Sequence, residues 1–176
     1  KVFFLYFVII LSVLSFQTSY ADRIVSSQQL VEDLYSDLVV TSMKELSTDE
    51  QEKKLKNLFE KYVDIPIIAR AVLGKSWRRA NSDQRGRFIN AFKGYVSNKY
   101  GRQFSEFKGT TLEIVKSRDT LTKAGVLVAT EVFVPGNSPL KVVWQVSDGS
   151  GSLKLIDIRV EGVSMLSTER QEFRSK

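Results

Sequence analysis

The side chains available for chemistry are limited in kind, because the 176-residue chain contains no histidine and no cysteine. Without imidazole or thiolate groups, the common nucleophilic triads and the usual zinc ligand sets are excluded. Carboxylates, lysines, tyrosines and water remain. The best arrangement that they allow is a tyrosine beside a carboxylate, transferring a proton next to a carbonyl group. We therefore expect a binding protein in preference to an enzyme.

Two carboxylates, Glu131 and Asp157, fall in strand-like segments and are the candidates for such a pair. Each is flanked by alternating apolar residues, which is the pattern of a carboxylate on the solvent face of a half-buried strand. We interpret both as surface residues. The sequence therefore predicts no catalytic residue, no metal ion and no cofactor.

An apolar run occupies residues 2–16, follows Lys1 and precedes the small-residue sequence Ser19-Tyr20-Ala21. This order is typical of a secretory signal peptide. About 20 apolar residues are needed to span a bilayer, so the shorter run favours cleavage after Ala21 over a membrane anchor. We expect residues 1–21 to be removed and residues 22–176 to form one exported domain. A cysteine-free chain does not need an oxidising compartment, which fits a bacterial periplasm at least as well as an extracellular space.

Helical periodicity characterises the first half of the mature chain, with apolar residues recurring every three to four positions in 30–39, 55–62 and 88–96. A shorter helix over 65–73 is apolar on nearly all sides, so protein or an apolar ligand must cover it. A last helix is expected over 164–173. The expected N-caps are Ser26 or Ser27, Thr48, Asp64 and Ser82, and Gly74 is placed to end the short helix.

Beyond residue 109 the apolar period changes to two, which predicts strands separated by short polar turns. The expected strands are Thr111 to Ser117, Gly125 to Val134, Leu140 to Ser147 and Leu153 to Glu161. Sequential strands with short connections form an antiparallel meander. The fold class is therefore α+β, with N-terminal helices packed on one face of a four-stranded antiparallel meander sheet.

Basic residues are concentrated in residues 65–108, which carry ten basic and two acidic side chains in a chain of net charge +6. No nucleic-acid-binding motif accompanies them, and we expect no nucleic-acid partner. A solvated helical face remains one interpretation. The other is docking to an anionic membrane, lipid head groups or an acidic partner, for which Lys75, Arg78 and Arg79 are the candidates.

Apolar side chains from successive helices face apolar strand positions. This pattern favours a tightly filled core, since aromatic stripes at helical spacing usually pack. An apolar ligand between the two layers is the alternative that the pattern leaves open. The predicted lining residues are Phe59, Val63, Ile67, Ile68, Val72, Leu73, Trp77, Phe88, Phe92, Val96, Val132, Val142 and Trp144.

Two stretches of the sequence resemble the MlaC (toluene-tolerance) family of periplasmic phospholipid-binding proteins. The first is the run 64–78, DIPIIARAVLGKSWR, followed by Gln84-Arg85 with Phe88 and Phe92. The second comprises Lys141 to Trp144, Asp157 to Met165 and Arg170 to Phe173. These matches span nearly the whole mature chain in the same order.

The resemblance implies a carrier that catalyses no reaction and holds glycerophospholipid tails against the predicted lining residues, in an apolar cavity between the helices and the sheet. We expect this carrier to be a monomer. Its implied partners are an inner-membrane ABC transporter complex and an outer-membrane lipoprotein complex, met through transient membrane-proximal contacts, and its implied role is to maintain outer-membrane lipid asymmetry. With the head group left near water, we expect weak head-group selection. Two alternatives remain: an exported adaptor whose basic face binds an acidic partner, and a carrier of another lipid such as a hopanoid.

Overall fold

A computed structural model describes residues 2–44, 46–101 and 104–174, with side chains from residue 21 onward except at 48, 101, 104 and 105. Within these residues it contains six helices, one 3₁₀ turn and five strands. The helices are α1 (Val2–Ser42), α2 (Thr48–Tyr62), α3 (Ile65–Leu73), α4 (Lys75–Arg79), α5 (Ser82–Gly101) and α6 (Met165–Arg174), with the 3₁₀ turn at Phe104–Phe107. The strands are β1 (Thr111–Asp119), β2 (Val126–Phe133), β3 (Leu140–Ser147), β4 (Lys154–Val160) and β5 (Val163–Ser164).

The predicted α+β class is confirmed, because the strands form one antiparallel sheet in the order β1-β2-β3-β4-β5. Sequence periodicity identified the four long strands to within two residues at each end. The two-residue strand β5 was not predicted, since it is too short to show a period. Side chains on β2 alternate between buried and half-buried, as expected for a strand with helices on one face only.

The main core lies between α1, α2 and the sheet. Helix α1 contributes its buried stripe at spacings of three and four residues, and the sheet contributes every second residue of its central strands. The buried members are Val31, Leu34, Tyr35, Leu38, Leu55, Tyr62, Val126, Val128, Val132, Val142, Trp144, Val146 and Leu155. A second core, formed by Ile65, Ala69, Val72, Phe92 and Val96, joins α3 to α5.

Helix α6 covers the second core from outside. Phe173 on α6 makes edge-on contacts with Phe88, Phe92 and Tyr95 of α5, at ring-centroid distances of 5.7, 5.8 and 5.5 Å. Such edge-to-face pairs are favourable beyond the area that they bury. The aromatic stripe of α5 therefore packs partly against protein rather than facing only a cavity.

Three of the expected helix caps are wrong, two of them by one residue. Ser47, rather than Thr48, forms the capping box of α2 with Glu50. The reciprocal hydrogen bonds before α5 join Asn81 to Gln84, with distances of 2.9 and 3.0 Å, so Ser82 lies inside the helix. Ser27 also lies inside a helix, where its hydroxyl donates to the Arg23 carbonyl.

The caps of α3 are as expected. The Asp64 carboxylate accepts from the Ile67 N–H at 3.1 Å, and Gly74 ends the helix with a positive φ of 55°. The start of α1 includes the predicted signal peptide, and the side chains of residues 2–20 lie outside those described. No helix in the described part of the chain is long and apolar enough to cross a membrane.

Candidate functional site

A cavity of about 950 Å³ lies between the helices and the sheet. Its volume is at the upper end of the ~300 to 1,000 Å³ found for small-molecule sites. Apolar side chains from α1, α2, α3, α5, α6 and strands β2 to β4 form most of its wall. The two main layers of the fold therefore do not fill the space between them.

Eight of the thirteen predicted lining residues border this cavity. They are Phe59, Val63, Ile68, Phe92, Val96, Val132, Val142 and Trp144. The strand residues are brought together by the antiparallel register, in which Val132 and Val142 lie on neighbouring strands and Trp144 follows Val142 by two positions. Trp144 is fixed there because its Nε1–H donates to Thr130 Oγ1 at 2.9 Å.

The other five predicted residues lie elsewhere. Val72 is 1% exposed inside the second core, and Phe88 packs at the edge of that core. Ile67 lies beside Gly149, Leu73 is half-buried at the end of α3, and Trp77 lies on α4 beneath the guanidinium group of Arg85. None of these five side chains is among those lining the cavity.

Several lining residues were not predicted, although most of them belong to apolar patterns that are visible in the sequence. Leu34, Tyr35 and Leu38 belong to the apolar stripe of α1, which was recognised but not assigned to the wall. On β4, Ile156 and Ile158 alternate with Leu155 and Asp157, and all four border the cavity. The N-terminal turn of α6 adds further apolar contacts, which no local pattern could have placed.

Exposed lining residues mark the mouth of the cavity. Only Glu106, Asn137, Ser138 and Leu140 are both exposed and part of the described wall. Glu106 belongs to the 3₁₀ turn, Asn137 and Ser138 belong to the β2–β3 connection, and Leu140 begins β3, so the mouth lies at that end of the sheet. A ligand with apolar tails and a polar head group fits this arrangement with its head group among the three polar residues.

Asp157 corrects an expectation from the sequence, because it is 6% exposed and faces the same side of β4 as Leu155. Its carboxylate accepts from the Ser164 hydroxyl at 2.7 Å and from the Leu166 N–H at 3.0 Å, which fixes the start of α6. Its hydrogen bonds are thus with the protein rather than with solvent. Glu131, the other candidate, is half-buried opposite Lys141 on β3.

A network of polar side chains joins α5 to α6 beside the cavity. Lys99 Nζ lies 2.7 Å from Glu169 Oε1 and 2.9 Å from Glu172 Oε2, and Tyr100 donates to Glu169 Oε1. Burial, and then the hydrogen bond to Glu169, raise the pKa of Tyr100 well above its usual value. Burial lowers the pKa of Lys99, but hydrogen bonds to the two carboxylates and Tyr95 outweigh it and raise that pKa overall. Both groups are therefore hydrogen-bond donors at neutral pH.

Deeper in the wall, the Tyr35 hydroxyl lies 2.5 Å from Thr110 Oγ1, which in turn donates to the Phe107 carbonyl. Burial raises the pKa of Tyr35, although its bond to Thr110 opposes the shift. This chain ties α1 to the turn before β1. No group of three or more potential metal ligands occurs within the described residues.

The predicted docking residues Lys75, Arg78 and Arg79 are exposed on α4. The guanidinium groups of Arg170 and Arg174 lie close to Gly74 at the start of this helix, so they extend the basic surface. No residue of α4 lines the cavity. The basic residues of α4 are therefore not part of the described mouth.

The fold and the site together define an α+β protein with a largely apolar cavity between its helices and its sheet. The chain belongs to the MlaC family, because the model of the MlaC protein family matches residues 28–176.

Two known proteins extend this assignment. The intermembrane phospholipid transport system binding protein MlaC of Haemophilus influenzae is 22% identical over 144 residues, which cover 79% of this chain and 67% of the relative. A solved structure of a phospholipid-binding protein from Ralstonia solanacearum, in complex with a phospholipid, has a TM-score of 0.71 and 18% identity. The match covers 85% of this chain and 86% of that one, and at this identity it shows a shared fold.

Proposed function

We propose that this protein binds one phospholipid molecule with its acyl tails in the cavity and its head group at the mouth, and that it carries the lipid between membranes. The observation that supports this most directly is the apolar cavity of about 950 Å³. A methylene group is about the size of a water molecule, whose share of liquid volume is about 30 Å³. The cavity therefore has room for roughly 30 methylene groups, which is the content of two acyl chains.

Enclosing the tails is what makes transport through water feasible. Exposing about 30 methylene groups costs on the order of 24 kcal/mol, at ~0.8 kcal/mol each. A shallow groove would leave part of that surface wet. A cavity with buried residues from both layers, such as Leu34 and Trp144, covers the tails on opposite sides.

We also propose the setting in which the transport takes place. The protein is a periplasmic monomer, formed after cleavage of residues 1–21. It exchanges lipid with an inner-membrane ABC transporter complex and an outer-membrane lipoprotein complex, and so maintains outer-membrane lipid asymmetry. Membership of the MlaC family and the intermembrane phospholipid transport system of the Haemophilus influenzae relative support this setting. The proposed role involves no catalysed reaction and no cofactor.

The rival adaptor hypothesis required a tightly filled core and a basic face for an acidic partner. The basic face is present on α4, but the large cavity argues against the filled core. A carrier hypothesis accounts for both features, since the basic face can serve docking while the cavity holds the cargo.

Mass spectrometry of bound lipid tests the proposed function. We expect an organic extract of protein purified from a periplasmic fraction to contain about one phospholipid per chain, because the cavity has room for the tails of one such molecule. N-terminal sequencing of the same sample should begin at Asp22. A lipid-free extract would favour the adaptor, and a stoichiometric polycyclic lipid would replace phospholipid as the cargo.

Charge reversal on α4 tests the docking role. We expect Lys75, Arg78 and Arg79 replaced together by Glu to slow lipid transfer to acceptor membranes carrying the partner complexes. Exposed charges mainly raise encounter rates, and their effect is screened beyond ~8 to 10 Å at physiological salt. Bound lipid should stay unchanged, because none of the three residues lines the cavity.

The matched control replaces Lys53, Lys54 and Lys56 by Glu. These exposed residues lie on α2, and their replacement changes the net charge by the same amount. Transfer should be measured for all three proteins at low and high ionic strength. A docking role predicts slow transfer only for the α4 variant, and a salt-dependent rate for the unaltered protein. Equal rates in the two variants would contradict a specific role for α4.

A further inference from the structure

The charged residues that line the cavity are all acidic in the described part of the chain. They are Glu106, Asp157 and Glu169, and no lysine or arginine accompanies them. This is unexpected in a chain of net charge +6. Asp157 and Glu169 pair with Arg159 and Lys99, which do not line the cavity, so a head group at this wall finds carboxylate acceptors rather than a cation for its phosphate.

Glu169 differs from the other two carboxylates in its hydrogen bonding. It is 3% exposed, and both of its donors, Lys99 and Tyr100, bond to the same oxygen, Oε1. The second oxygen, Oε2, is buried without a hydrogen-bond partner among the described residues. Leaving such an acceptor unsatisfied is costly, so a bound donor at this position is stabilising.

The other two acidic lining residues lack this property. Asp157 has partners on both oxygens, from Leu166 on Oδ1 and from Ser164 on Oδ2. Glu106 is exposed, so water satisfies its carboxylate. Among the three lining carboxylates, Glu169 is thus the one with an oxygen that can accept a hydrogen bond from a ligand.

The position of Glu169 suits a head group better than a tail. Its partner Tyr100 lies at the C-terminal end of α5, where the chain leads to the 3₁₀ turn that carries the mouth residue Glu106. Because Lys99 and Tyr100 already bond to Oε1, Oε2 is the oxygen that can accept from a donor at the cavity wall.

We propose that Glu169 accepts a hydrogen bond from a primary ammonium on the head group of the cargo, so that the protein selects ethanolamine-type over choline-type phospholipids. The inference rests on the proposed function and names the lipid class for the same cavity. A primary ammonium supplies N–H donors and a positive charge, and a trimethylated ammonium supplies the charge without a donor. This departs from the weak head-group selection expected from the sequence.

A competition experiment tests this selection. The protein is incubated with vesicles containing equal amounts of phosphatidylethanolamine and phosphatidylcholine with identical acyl chains, re-isolated and extracted, and the bound lipids are measured by mass spectrometry. We expect the ethanolamine lipid to be enriched about tenfold, the effect of one hydrogen bond to a charged group. Glu169→Gln should bring this ratio close to one in the lipid that the variant still binds.

Glu172→Gln is the matched control. This substitution removes the same charge from the same helix, and Glu172 also pairs with Lys99, but it does not line the cavity. The control should keep the selectivity of the unaltered protein. Loss of selectivity in both variants would assign the effect to the general charge of α6 and overturn the role of Glu169.

A methylation series needs no variant and so does not depend on the stability of Glu169→Gln. Head groups with one or two N-methyl groups keep an N–H donor, whereas the third methyl group removes it. Binding should fall mainly at the third methylation. An even decline or equal binding of all four lipids would overturn the inference and leave the proposed function standing. Failure to bind any of them would instead contradict the proposed function.

Discussion

Replacing Gly125 by alanine is expected to destabilise the protein more than any other single methyl addition considered. Gly125 is buried at the start of β2 with a φ of 79°, and a Cβ atom there would lie 1.9 Å from the carbonyl oxygen of Val146. The obstacle is backbone of the neighbouring strand, which cannot move aside as a side chain can. We expect the free energy of unfolding to fall by at least about 4 kcal/mol, a large share of the total for a small domain.

Gly136 supplies the matched control, because its φ of 78° is nearly the same but no atom lies within 4 Å of a Cβ placed there. Gly136→Ala should lower the free energy of unfolding by only about 1 kcal/mol, the cost of placing alanine in a left-handed backbone conformation. Urea unfolding of both variants measures the difference. Similar losses in the two would show that the close approach of Gly125 to β3 does not govern stability.

The order and class of the elements follow from local chemistry, and this is why they could be predicted. The short helix α3 is specified at both ends, by Asp64 as N-cap and by Gly74 as terminator. The strands show a period of two between turn residues. The caps of α2 and α5 were misplaced because Ser47 and Thr48, like Asn81 and Ser82, are adjacent residues with the same capping ability.

The wall of the cavity was predicted best on the strands, because alternation fixes which side chains share a face. On α5 the sequence could not separate Phe92, which lines the cavity, from Phe88, one turn away. Phe88 contacts Phe173, which is 85 positions distant in the chain, and only the tertiary structure brings α6 over that position. Phe92 itself is 1% exposed and contacts several rings, so it is a poor site for a filling substitution.

The burial of Asp157 could not be predicted from the pattern of its own strand. A carboxylate between isoleucines was interpreted as the polar face of a strand. It shares its face with Leu155, and its burial is made possible by donors from Ser164 and Leu166. Those donors lie beyond the end of β4, in the segment that turns back to pair as β5 and begins α6. Periodicity within β4 contains no information about them.

Filling the cavity at Ile68 is expected to have the largest effect on cargo. Ile68 lines the cavity from α3, and tryptophan has about six more side-chain heavy atoms than isoleucine. Displacing even two acyl carbons into water, at ~0.8 kcal/mol each, lowers affinity by more than about tenfold. Ile68→Trp should therefore retain its fold but carry much less lipid, as measured by extraction and mass spectrometry after equal exposure to vesicles.

Ile67→Trp is the matched control, since Ile67 precedes Ile68 on the same helix and is also half-buried but does not line the cavity. Its bound lipid should remain near that of the unaltered protein. Urea unfolding tests whether Ile68 lies instead in a filled core. Overpacking a filled core lowers the free energy of unfolding by ~1 to 3 kcal/mol, whereas an open cavity accepts the added volume. If Ile68→Trp were destabilised by that amount while its bound lipid stayed normal, the tails would have to lie elsewhere, and the cavity between α3 and the sheet would not be the cargo site.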